Sequence, residues 1–264
     1  MALSTPQQIA ALYVQKDGVY FGLPGVDPWD ESRDARRYFG PHPVVAHPPC
    51  QRWSIMTHVN EKRYGARVGD DGGCFEHALA AVLALGGVLE HPASSRAWPH
   101  FGLLKPAPGR WSVGYLAGVR YWVTQVAQCA YGHRARKRTW LLYQGAAAPP
   151  ALDWSEPSVQ YKVGGRLNGY NNLPSLNKKE ANATPIAFRD LLIYLARGSR
   201  VYQRAHCRGA AMTAPAPVLI DFESRSRADL GAVGGRKYWE HPSSEALAVV
   251  CARLLAGALR GGAL

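Results

Sequence analysis

The apolar and polar positions of this chain mark out short buried strands separated by longer polar stretches. Two apolar runs, Ile9–Val14 and Val19–Leu23, come first, and Leu23–Asp30 turns sharply at its prolines and glycine. Arg33–Tyr38 has room for one or two helical turns. Val44–Ala46 is a buried strand that stops at Pro48-Pro49. Residues 52–73 are polar, basic and glycine-rich with no hydrophobic period, the pattern of a mobile loop. Helical spacing begins at Cys74 and runs to Leu85, with Phe75, Leu79, Val82 and Leu83 on one stripe and Gly86-Gly87 as its stop. Val88-Leu89 is a second buried strand, ending at Glu90-His91-Pro92. Strand, loop, helix and strand in this order predict a right-handed parallel crossover.

Further along, Tyr121–Gln128 alternates as a strand does, Tyr131–Thr139 is a basic turn, and Trp140–Tyr143 is another apolar strand. Residues 145–183 are mixed, with little period. Residues 184–197 predict a helix capped by Thr184, with Pro185 at its first position. Small residues and prolines make 206–217 a linker. Val218–Ile220 then opens a last piece, which has one helix over Ser244–Ala258. The reading is an α/β fold, a doubly wound Rossmann-like sheet over 1–205, followed by a small α/β fragment over 218–264.

Composition adds a partner and a compartment. A net charge of +12 on 264 residues points to a polyanion, nucleic acid first. Five cysteines at wide spacings imply no disulfide framework. No signal-like segment and no apolar run of membrane-spanning length is read, so a reducing cytoplasm is expected and no membrane partner.

Cys50 is the leading chemical candidate. It follows a strand end, where ligands bind in open α/β sheets, on a turn stiffened by proline. With Arg52 close by, it is placed to be a reactive thiolate. The competing reading is a small cysteine packed beside a turn. A zinc site is a further alternative, because His47-x-x-Cys50 and Cys74-x-x-His77 have ligand spacing.

Three segments fall in one order: Pro48-Pro-Cys-Gln-Arg-Trp-Ser54, Val88-Leu-Glu-His-Pro92 and Tyr131-Gly-His-Arg-Ala-Arg-Lys-Arg-Thr-Trp-Leu141. Together they resemble the cytosine-5 DNA methyltransferase family, over roughly residues 40–145 and more weakly 173–195. That family has a Pro-Cys-Gln nucleophile loop, a strand ending in Glu-Asn-Val, and a Tyr-Gly-x-x-Gln-x-Arg-x-Arg turn before another strand. The resemblance implies that Cys50 adds to carbon 6 of a flipped pyrimidine and that Glu90 meets ring N3 and the exocyclic amine. It implies that Arg134 and Arg136 hold the base. Arg52, Ser54, Lys62, Arg63, Arg67, Lys137, Arg138, Lys178 and Lys179 become the expected contacts to double-stranded DNA.

This chain departs from the family in three places, one being the glutamine of the third motif, which is His133 or Arg134 here depending on alignment. Glu90 is followed by His-Pro, and the N-terminal glycine-rich loop that holds S-adenosylmethionine is absent. Asp27, as a ribose-binding acid, and Pro48 are the cofactor-side candidates. The resemblance therefore leaves three options open: the same cofactor in a shortened site, another one-carbon donor, or a decayed module that only binds DNA. No metal is expected in the main domain. The region that would read sequence, roughly 144–180, is short, so low specificity or help from a second protein is expected. A phage or prophage source acting in the host cytoplasm goes with the resemblance.

Residues 218–248 resemble the opening of the proofreading 3′–5′ exonuclease domain of phage-type DNA polymerases. In that resemblance Asp221 and Glu223 share a strand face as the first metal-binding pair. Two further acidic segments are needed and do not follow, so the fragment is expected to be vestigial and inactive.

Overall fold

The computed structural model describes residues 8–55, 57, 65, 67–163 and 172–199. The expected linker, the exonuclease-like fragment with Asp221 and Glu223, and the loop residues Lys62 and Arg63 lie outside the described residues.

The centre is a seven-stranded mixed sheet. Its strands are β1 (Ile9–Leu12), β2 (Val26–Trp29), β3 (Val44–Ala46), β4 (Gly87–Pro92), β5 (Ser112–Leu116), β6 (Val119–Ala127) and β7 (Arg138–Gln144), in the spatial order β2-β1-β3-β4-β7-β6-β5. The first four in that order are parallel, and the other three form an antiparallel meander. The α/β class is as expected.

The parallel half is apolar because both of its faces are covered. On one face, Ala10, Leu12, Val44, Ala46 and Leu89 bury against helix α1 (Cys74–Leu85). On the other, Ile9, Ala11, Val45 and Val88 bury against Phe188, Leu192 and Leu195 of helix α4 (Ile186–Gly198). This is the period-2 division of a strand between two layers. Two shorter helices, α2 (Ala97–His100) and α3 (Lys178–Asn182), complete the set. At Gly87 the backbone has φ +121°, and a Cβ would lie 1.9 Å from the Val44 carbonyl oxygen. Only glycine lets β4 approach β3 this closely after the helix stop.

Several expectations change. Leu23–Asp30 is not only a turn, because Val26–Trp29 forms β2. This is an edge strand pairing with β1 alone, where Pro28 is tolerated. Thr184 does not cap α4. The flanking position is Pro185, whose extended backbone delays the helix to Ile186 and whose carbonyl accepts the Arg189 N–H. The 145–183 stretch contains α3, started by an Asn177–Glu180 capping box. The two ends of the 52–73 loop are anchored. Trp53 is buried, its indole N–H donates to Asp71, and Asp71 also accepts from the Gly73 and Phe75 amides at the start of α1.

Candidate active site at the sheet rim

Strand direction brings the three sequence segments together. β3 and β4 are parallel, so the Cys50 loop and the Glu90-His91-Pro92 end leave the sheet on one edge. β7 is antiparallel to β4 and pairs its first residues, Arg138 and Thr139, with β6 and with Pro92. The β6–β7 turn therefore returns to the same edge. All three segments line one cleft of about 1370 Å³, with Cys50, Glu90 and Lys137 on its wall.

The cysteine is held by its own loop. The Cys50 carbonyl accepts the Trp53 amide at 3.0 Å, and the Gln51 carbonyl accepts the Thr57 hydroxyl. Burial and then the Glu90 charge push the Cys50 thiol above its ordinary value, and Lys137 opposes them. This corrects the expectation of a resting thiolate promoted by Arg52. The thiol is partly buried beside a carboxylate, and the cation acting on it is Lys137.

Glu90 is the centre of a hydrogen-bonded chain. Its Oε2 meets His47 Nδ1 at 2.9 Å, and His47 Nε2 meets the Tyr20 hydroxyl at 2.8 Å. Its Oε1 accepts from Gln128 Nε2 at 3.3 Å, and that amide also donates to the Thr139 hydroxyl at 2.9 Å. Burial works against Glu90 ionising, but the His47 hydrogen bond and charge, helped by Lys137 and His91, outweigh it and hold the carboxyl at about 2. The His47 amide donates to the Leu12 carbonyl, which fixes the residue at the end of β1. Burial keeps the Tyr20 phenol protonated.

The neighbouring His91 points to the opposite face of β4. It packs edge-on to Phe75 and beside Trp98. Among the described residues neither ring nitrogen has a hydrogen-bond partner, and the Pro49 carbonyl acts on it only from outside hydrogen-bond geometry. Burial pushes its pKa down to about 4 against the pull of Glu90.

The other expected residues divide. Arg136, Lys137, Arg138, Lys178 and Lys179 line the cleft, and Pro48 does too. Arg136 and Arg138 share Glu156. Arg134 is not on the cleft wall; it is paired with Glu180 at 2.6 Å and lies over the Tyr161 ring. Ser54 borders a smaller pocket on the other side of Cys50. Arg52 pairs its carbonyl with the Gly69 amide, and Arg67 is exposed. Tyr20 and Gln128 were not legible as site residues. The sequence offers His47 only as a zinc ligand, but its ring is turned to Tyr20 and Glu90. Its counterpart His77 is turned to Tyr13 and the Tyr38 carbonyl. Among the described residues no three His, Cys, Asp or Glu side chains gather as a metal-holding group.

The described residues do not fit S-adenosylmethionine. Asp27 is committed to Arg33 through one carboxylate oxygen and to the Trp29 indole through the other, and it is not on the cleft wall. Among the described residues Glu90 is the one acid lining the cleft, against Arg136, Lys137, Arg138, Lys162, Lys178 and Lys179. A ribose and an ammonium group would find no free carboxylate there.

No family model, curated protein or solved structure matches this chain. No helix among the described residues is long and apolar enough to cross a membrane.

Proposed function

We propose that this chain is a DNA-modifying transferase of the cytosine-5 methyltransferase type, built on a doubly wound methyltransferase-type sheet. The observation that carries the reading is the meeting of Cys50, Glu90 and the basic Arg136–Arg138 turn in one cleft. Carbon 5 of a pyrimidine is a poor nucleophile. A thiolate added at carbon 6 makes it enamine-like, and Cys50 is the group for that addition. The Glu90 carboxylate accepts from the exocyclic amine of the base and faces ring N3. Lys137 favours ionisation of Cys50. The base reaches this cleft only outside the duplex. The cleft's arginines and lysines suit the phosphates of double-stranded DNA, with a second protein supplying sequence specificity. A phage or prophage gene product in the host cytoplasm goes with this reading. No transferred group is assigned, because the cleft does not fit the donor implied by the resemblance.

The test is nucleoside mass spectrometry of DNA from cells expressing the chain or its Cys50→Ala variant. A modified pyrimidine present only with Cys50 is the expected result, and its mass names the transferred group. The raised Cys50 thiol favours a second reading, a module that binds DNA without modifying it. DNA binding with no new nucleoside is the outcome that would establish that reading.

A further inference from the structure

We infer that His47, held by the Tyr20 hydroxyl, relays a proton to Glu90 and sets the charge beside Cys50. The geometry is a continuous chain: Tyr20 hydroxyl to His47 Nε2 at 2.8 Å, and His47 Nδ1 to Glu90 Oε2 at 2.9 Å. All three residues line the same cleft as Cys50. The second Glu90 oxygen is held by Gln128. The carboxylate is therefore fixed in place, with His47 as its proton source.

A tyrosine hydroxyl suits this position because it works in both states of the ring. It accepts from Nε2–H both in the imidazolium and in the neutral ring left when the Nδ1 proton moves to Glu90. Nδ1 is therefore the nitrogen that gives up its proton. A phenylalanine or an ammonium at the same place would accept in neither state.

On the proposed reaction, on which this part rests, the relay has a defined task. The Cys50 thiolate forms a bond to carbon 6. The carbon 5–carbon 6 π pair moves to carbon 4–carbon 5, and the carbon 4–N3 π pair becomes the bond from N3 to a proton. That proton comes from Nδ1 of the His47 imidazolium and passes through the Glu90 carboxylate, which starts and ends the step ionised. The products are a neutral adduct, a neutral imidazole and the Glu90 carboxylate. His47 acts through Glu90 and is a positioning residue. The groups that face this chain are Lys137 from the β6–β7 turn, Cys50 from its own loop, and Arg189 and Asp190 of α4 acting on Tyr20, while His91 acts on Glu90 from the opposite face of β4.

The test reads Cys50 directly. The rate of iodoacetamide alkylation at Cys50, followed by peptide mass spectrometry, is measured against pH in the wild type, His47→Gln and Glu90→Gln. Two inflections are expected in the wild type, one from the thiol and one from His47 switching the net charge of the His47–Glu90 pair. His47→Gln keeps a donor to Glu90 but carries no titrating proton, so its profile has the thiol inflection alone. Glu90→Gln also loses the second inflection and reacts about three- to tenfold faster at neutral pH. Superimposed wild-type and His47→Gln profiles would overturn the relay. Ring ¹⁵N resonances of wild-type His47 give the same answer without a variant. Loss of the Nδ1 proton with Nε2–H retained supports the relay, and a ring that keeps its Nδ1 proton throughout overturns it. Neither measurement uses DNA or a donor. A two-inflection profile without a modified nucleoside therefore overturns the proposed reaction and keeps the relay, and a modified nucleoside with superimposed profiles does the reverse.

Discussion

Glu90 and His91 are consecutive on β4, and both are buried, yet they are held in opposite charge states. Glu90 points into a polar chain with His47 and Gln128 as donors, and its carboxyl sits at about 2. His91 points among Phe75 and Trp98 with no hydrogen-bond partner among the described residues, and its pKa falls to about 4. Burial disfavours the charged form of each. Placed donors reverse that on one face, and their absence leaves it in force on the other. A single strand end thus presents an ionised group to the cleft and a neutral one to the core.

The largest effect comes from removing what holds both faces in place. Gly87→Ala drives a Cβ into the Val44 carbonyl and should cost about 4 kcal/mol or more. Urea denaturation would check this, and a variant of wild-type stability would break the account of the β3–β4 approach. Next is the polar face alone. Glu90→Gln keeps the shape but loses the charge, and the yield of modified nucleoside should fall about 10²- to 10³-fold with folding intact.

The apolar face is read through acid stability. Between about pH 6.5 and 4 the unfolded chain protonates His91 before the folded one does, so stability falls as pH falls through that range. The Glu90 contribution is present above its unfolded value near 4.5 and is lost as pH falls towards about 2. His91→Leu should remove the upper part of this acid loss, on the order of 2–3 kcal/mol, and leave the lower part. Thermal melts against pH separate the two. An unchanged upper limb would show that His91 is not the neutral group assigned here. The smallest effect is expected at Arg134. Its pairing with Glu180 is exposed, so Arg134→Ala should change stability by less than about 1 kcal/mol. It should also leave the Cys50 alkylation profile unmoved.

How much of this was legible follows from the kind of contact each residue makes. Helix α1 was readable to the residue because its stripe and its glycine stop are local. The inner parallel strands β1, β3 and β4 were readable because burial on both faces leaves unbroken apolar runs. Edge strands β2 and β5 were not, since Pro28 and the exposed Val113 and Tyr115 break the strand pattern. Cys50 and Glu90 were found through motif order. Tyr20, His47 and Gln128 are joined to them only across the sheet, by contacts between residues 27 to 43 positions apart. The one local hint was a polar residue, His47 or Gln128, placed where an apolar strand ends.

The central claim is a covalent bond between Cys50 and a pyrimidine of DNA. It is tested most directly in cells expressing the tagged chain and given 5-azacytidine, whose ring nitrogen at position 5 blocks release of an added thiol. The account predicts that the wild-type chain is recovered covalently joined to DNA through the Cys50 peptide, and that Cys50→Ala is not. Equal recovery of the two chains on DNA, or none of either, would contradict it.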